Sequence, residues 1–200
     1  KSIAFKACKN ILIRDVTIYR GGHFAIIVTG CERGTIDNVT IDTNRDGIDI
    51  DCCKYLTVSN SKVNTPSDDG IVLKASYAMK KAVACENILI TNCVVSGVKC
   101  GTFLDGTRVP EKVNWVCGRI KLGTESNGGY RDITITNCTC IWSSGLAFEE
   151  VDQGLMDNIV VSNVVGEVVI YDVTGKMVAK AHANGTANIA TSLTNGVYII

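Results

Sequence analysis

The sequence predicts an all-β fold, a parallel β-helix, and three observations carry that prediction. One phrase recurs along the chain, its copies are spaced mostly in the twenties, and the short alternating segments within it have no helical stretch between them. The phrase is small, polar, polar, apolar, any, apolar, any, Asx, any, any, apolar. It starts at Cys8, Cys31, Cys53, Cys85, Tyr130 and Met156, at intervals of 23, 22, 32, 45 and 26 residues. A leucine-rich repeat needs a fixed leucine framework, which is missing here. A β-sandwich would not keep so constant an internal phrase.

Each copy of the phrase supplies strands of one coil. The Asx column (Asp15, Asn38, Asn60, Asn92, Asn137, Asn163) marks a tight bend. A short polar side chain there bonds its own backbone and its counterpart one rung away. The interval of 32 predicts a loop from about Ala75 to Ala84, and that of 45 predicts a longer one from about Phe103 to Val116. Loops leaving one side of a solenoid commonly wall a binding cleft, although plain length variation explains them as well. The phrase stops near Gly166, which divides the chain into a solenoid over 1–165 and a second unit over 166–200. In that second unit, Glu167 to Val173, a turn at Thr174-Gly175 and Lys176 to Ala181 read as an antiparallel hairpin. Asn184-Gly185 and Asn195-Gly196 read as further turns, and Val197 to Ile200 as another strand. Such an appendage would cover the open end of the solenoid.

Composition narrows the partners. Twenty basic and twenty acidic residues leave no formal charge, so nothing favours nucleic acid or an anionic membrane surface as partner. No apolar run approaches the roughly 20 residues that span a bilayer. No signal peptide precedes Lys1, so a fragment or a processed product is expected. The ten cysteines include no Cys-x-x-Cys pair, which argues against a zinc site. Cys8, Cys31, Cys53 and Cys85 share one repeat position and Cys93 and Cys138 another, as expected for small hydrophobes stacked inside a coil. Cys52 and Cys53 should face opposite ways, so that at most one is buried.

The chemistry gathers in two neighbouring repeats, Asn44-Arg45-Asp46-Gly47-Ile48-Asp49-Ile50 and Ser67-Asp68-Asp69-Gly70-Ile71-Val72-Leu73. Stacked coils would put Asp46 and Asp69 one rung apart, about 4.8 Å, with Asp68 beside them. Carboxylates that close repel one another and raise the proton affinity of one member, giving an acid next to a base. That is the equipment of polysaccharide hydrolysis, and the spacing is compatible with an inverting arrangement. An Asp before Gly also caps turns, which is the bland alternative for either motif taken singly. Lys74 and Lys121 share the outward parity of the cleft side, and Arg119 lies at the turn ahead of Lys121. No cofactor and no metal are expected.

Residues 8–165 resemble the central coils of glycoside hydrolase family 28, the polygalacturonases and rhamnogalacturonan hydrolases. The likeness lies in Asn44-Arg45-Asp46-Gly47, in the Asp68-Asp69 pair one coil on, and in the stretch from Gly22-His23-Phe24 to Asp51. The resemblance implies a right-handed, pectin-lyase-like solenoid acting on pectic polysaccharide, with Asp68 as general acid and Asp46 and Asp69 as bases. Asn44, Lys74, Arg119, Lys121 and Glu149 are its candidate substrate contacts. Two positions depart from the family pattern. Gly118 stands where a histidine is usual, and Ala147-Phe148-Glu149 replaces Arg-Ile-Lys in the following coil. Glu149 would repel a galacturonate carboxylate. A neutral sugar at that subsite, or a subsite shifted toward Lys121, would remove the conflict.

The segment Ile170-Tyr171-Asp172-Val173-Thr174-Gly175-Lys176, with Leu193-Thr194-Asn195-Gly196-Val197-Tyr198, resembles the second half of a type IX secretion sorting domain. That likeness implies a secreted or cell-surface protein and a possible contact with secretion machinery. Two other functions remain open: a non-catalytic surface solenoid that binds carbohydrate, and a polysaccharide lyase with calcium held by the Asp cluster.

Overall fold

The computed structural model describes residues 1–112, 115–171 and 177–185. The chain winds through coils of three strands each. The first coil holds β1 (Ile3–Lys6), β2 (Lys9–Arg14) and β3 (Thr17–Tyr19), and the second β4 (Phe24–Thr29), β5 (Glu32–Asp37) and β6 (Thr40–Asp42). The third coil holds β7 (Asp46–Asp51), β8 (Lys54–Ser59) and β9 (Lys62–Asn64). The fourth holds β10 (Ile71–Lys74), β11 (Cys85–Thr91) and β12 (Val94–Ser96). The fifth contains β13 (Ile120–Leu122), β14 (Tyr130–Thr136) and β15 (Thr139–Ile141). The sixth contains β16 (Leu146–Phe148), β17 (Met156–Ser162) and β18 (Val164–Tyr171), and β19 (Met177–Gly185) follows.

Equivalent strands stack in parallel into three sheets. The first runs β1-β4-β7-β10-β13-β16, the second β2-β5-β8-β11-β14-β17, and the third β3-β6-β9-β12-β15-β18, with β19 beyond. Every coil repeats the same alternation, so like residues stack on like. In the first sheet Ile26, Ile48, Ile71, Ile120 and Leu146 form one interior column by register, and Val28, Ile50, Leu73, Leu122 and Phe148 another. These side chains are buried, and each contributes roughly 1.5–3 kcal/mol of hydrophobic stabilisation. The residues between them point outward, and on the first sheet that outer face carries the site.

The Asx column performs the bend it was predicted to make. Asp15, Asn38, Asn60, Asn92, Asn137 and Asn163 all have positive φ, between 50° and 58°, the region a short polar side chain tolerates best. Their side chains climb the ladder: Asn38 Nδ2 donates to Asp15 Oδ1 at 2.8 Å and Asn163 Nδ2 to Asn137 Oδ1 at 2.7 Å. A second left-handed column, Asn10, Arg33, Tyr55, Asn87, Asp132 and Asn158, has too mixed a composition to stand out in the sequence.

The two long intervals are the loops between β10 and β11 and between β12 and β13. The ten cysteines are free, and Cys31, Cys53 and Cys85 stack inside as expected. Cys52 corrects the alternation argument, because it is buried together with Cys53. The loop after β10 covers its outward face, and its thiol donates to the Ser76 carbonyl at 3.1 Å. At the far end β18 continues past the solenoid and pairs antiparallel with β19. The expected turn at Asn184-Gly185 is strand instead: these residues pair with Val165 and Val164, where β18 offers a free edge. The Thr174-Gly175 and Asn195-Gly196 turns and the final strand lie outside the described residues. Among the described residues no helix is long and apolar enough to cross a membrane.

Candidate active site

Asp46 opens β7, and Asp69 lies two residues before β10. The two coils meet in register there, with Gly47 N–H donating to the Asp69 carbonyl at 3.0 Å and Ile48 N–H to that of Gly70 at 2.8 Å. Gly47 is required at that junction. A Cβ there would overlap both the Val63 side chain and the Gly70 carbonyl oxygen. Gly47→Ala is therefore expected to cost about 1–3 kcal/mol, as overpacking does, measured as a lower midpoint in chemical denaturation.

The junction brings the three carboxylates together. One oxygen each from Asp46, Asp68 and Asp69 lies within 4.8 Å of the others. Asp46 and Asp69 are buried and Asp68 is half-buried. Asp46 Oδ1 finds no hydrogen-bond partner. Burial, with the neighbouring Asp68 carboxyl second, pushes Asp46 up to about 8, so it carries a proton at neutral pH. Asp69 moves the other way. Burial would raise it, but Arg119 Nε at 2.7 Å from Oδ1 and Lys121 Nζ at 3.4 Å from Oδ2 outweigh that and hold it below the usual carboxylate range. The Cys117 thiol also donates to Asp69 Oδ1, at 3.3 Å. The result is an acid beside a base on one wall.

The predicted contacts take less open places than the sequence suggests. Arg119 and Lys121 do point to the outer face, as the burial of Ile120 and Leu122 between and beside them requires. Both are covered, however, at 7% and 8% exposure. Glu149 explains why: its Oε1 lies 3.3 Å from Arg119 Nη2 and its Oε2 3.1 Å from Lys121 Nζ. Glu149 thus closes a four-charge network with Asp69, Arg119 and Lys121. Lys74 sits 3.0 Å from Asp49 Oδ2 and 4.0 Å from Asp46 Oδ2. Asn44 and Arg45 are exposed at the rim, and Arg45 Nη2 lies 2.9 Å from Asp68 Oδ2.

Two residues at the site escaped sequence reasoning. Asp49 is almost wholly buried under Lys74, and burial raises it to about 6 despite that cation. The alternation Ile48-Asp49-Ile50 was the available signal, since it turns Asp49 outward beside Val72. Trp115 is more than half exposed, and the Arg119 guanidinium carbon lies 5.5 Å from its ring centroid. It sits in a loop without periodicity, and no sequence pattern marks it. Gly118 has a plain structural cause. Its φ is 59°, and a Cβ there would overlap the Ser96 carbonyl, so the backbone of this coil has no room for a side chain at that position.

Residues 1–116 match the family model described as right handed beta helix region. The chain belongs to that family. A β-helix of this kind serves both pectin-degrading enzymes and non-catalytic proteins, so membership fixes the architecture and leaves the chemistry to the site. No curated protein matches this β-helix chain. A solved structure of full-length QnrB1, a plasmid-mediated fluoroquinolone resistance protein, is 8% identical over 78% of this chain and 93% of that one. Its TM-score is 0.17, too low to bear on this chain.

The carboxylates of the β-helix also have the spacing of a cation site. Their donor set does not suit one. Arg119 and Lys121 already neutralise Asp69, and Arg45 holds Asp68. A divalent cation draws on several free anionic oxygens, and here it would have to displace three fixed cations.

Proposed function

We propose that this chain is a glycoside hydrolase that cleaves pectic polysaccharide with inversion at the anomeric carbon. The observation that carries the reading is the convergence of Asp46, Asp68 and Asp69 within 4.8 Å on the outer face of one sheet, with Asp46 protonated and Asp69 charged at neutral pH. Asp68 is the most exposed of the three and the one placed to reach a glycosidic oxygen. It passes to that oxygen the proton that Asp46 holds, so Asp46 serves as proton source and not as the base the resemblance implies, and Asp69 orients the attacking water. General acid and base groups so placed contribute about 10²–10⁴-fold each. The resemblance to family 28 supplies the substrate class and the stereochemistry. The closest oxygens lie nearer than the roughly 6.5–9.5 Å typical between the carboxyls of inverting enzymes, so the anomer of the product is the direct test. Proton NMR during digestion of a pectic polymer is expected to show new reducing ends that first appear in the inverted configuration. Retained configuration would overturn the mechanism, and an absence of new ends would overturn the activity.

One observation favours a second reading, a β-helix that binds carbohydrate without cutting it. The Asp69 carboxylate takes an arginine, a lysine and a thiol, and a base so well satisfied abstracts protons poorly. Binding of pectic oligosaccharides with no cleavage over long incubation selects this alternative. In either reading we place the protein outside the cell or at its surface, on the likeness of its last residues to a sorting domain that engages secretion machinery.

A further inference from the structure

We propose that the outer face of the first sheet takes an uncharged sugar at the carboxylate cluster, stacked on Trp115, and turns a uronate away from that position. The proposal rests on the glycan-binding side of the reading above for its class of ligand. The selectivity comes from how the charges are paired.

Every cation that faces the cluster among the described residues is already engaged. Arg119 and Lys121 each join Asp69 to Glu149, and Lys121 also donates to Thr124 Oγ1 at 2.9 Å. Lys74 is shared by Asp49, Asp46 and Glu125, and Arg45 holds Asp68. Six carboxyl groups thus meet four cations. The excess is two negative charges, or one with Asp46 protonated. A uronate brings a further negative charge and needs a free guanidinium or ammonium to receive it. Freeing Arg119 would strand buried Asp69 and half-buried Glu149 with a single lysine between them. The pairing of Lys121 with Glu149 and Asp69 also removes it as a shifted subsite for a carboxylate.

Trp115 supplies what an uncharged sugar needs instead. The residue is 59% exposed, with its ring beside the guanidinium that touches Asp69. An open aromatic surface next to a few fixed polar groups is how sites hold ligands that are apolar on one side and polar on the other.

Calorimetric binding reads this selectivity with or without turnover. The two probes are a rhamnogalacturonan oligosaccharide, which can place a neutral unit at the cluster, and a homogalacturonan oligosaccharide of equal length, which cannot. The first is expected to bind at least about tenfold more tightly, and Trp115→Ala to weaken it by about tenfold, the scale of losing an aromatic hot spot. Thermal unfolding of Trp115→Ala should match that of the parent, since the ring is largely exposed. Equal or tighter binding of homogalacturonan, no effect of Trp115→Ala, or no binding of either probe overturns the proposal. Selective binding without new reducing ends defeats the hydrolase and leaves this selectivity standing; cleavage of homogalacturonan with tight binding does the reverse.

Discussion

Asp46→Asn is expected to lose turnover at every pH and to gain stability on the alkaline side. The activity follows from the proton that Asp46 holds: an amide keeps the shape but cannot pass that proton to Asp68, and an acid left without its proton costs about 10²–10⁴-fold. In the parent, turnover should fall as pH rises through about 8, where the Asp46 proton leaves. The stability effect comes from the same proton. Asp46 titrates near 8 in the folded chain against an ordinary 3.8, so between those values the folded state keeps a proton that the unfolded state has released. Its contribution is therefore complete below about pH 4, declines as pH rises and is gone above 8. Asp49, raised to about 6, adds a decline over the lower part of the same range. The loss from Asp46 is on the order of a few kcal/mol, since each tenfold change in proton affinity is worth about 1.4 kcal/mol and a buried site relaxes around a new charge. Denaturation midpoints measured from pH 4 to pH 9 should slope downward in the parent and much less in Asp46→Asn. Parallel slopes would mean that Asp46 is charged throughout, and the assignment of the proton would fall with them.

What the sequence made legible is what the coil repeats. Interior columns and the left-handed Asx bend recur in successive turns, so a single chain displays its own periodicity and the register follows. Asp46 and Asp69 meet because the same phrase precedes both, and the parity that hides Ile120 and Leu122 also turns Lys121 outward. What stayed hidden is what happens only once. Glu149 reads as a repulsive charge in an isolated coil, and only the contact across rungs shows it neutralised by Arg119 and Lys121. Cys52 lies in the bend after β7 with φ 57°, where strand alternation no longer holds, and a loop of irregular sequence covers it. Trp115 arrives by such a loop as well.

Arg119→Met should be the most damaging single change to stability in this part of the molecule. The guanidinium lies between Asp69 and Glu149, whose side chains are 7% and 12% exposed. Deleting its charge leaves buried Asp69 and half-buried Glu149 to share Lys121, and breaking a buried pair from one side costs about 3–5 kcal/mol. The neutral side chain fills most of the same space, so a cavity contributes little to that loss. Adding Glu149→Gln removes one of the stranded charges and lets Lys121 serve Asp69 alone. The double variant should thus recover a large part of what Arg119→Met loses, which appears as a coupling energy in a double-mutant cycle. The pH dependence gives an independent check. Arg119 does more than Lys121 to keep Asp69 below the usual carboxylate range, so its stabilisation is present above about pH 4 and is lost as the pH falls further. The gap between parent and Arg119→Met should narrow on acidification for that reason. A gap that stays constant with pH, or that Glu149→Gln does not close, would show that Arg119 acts through its packing against Trp115 and not through its charge.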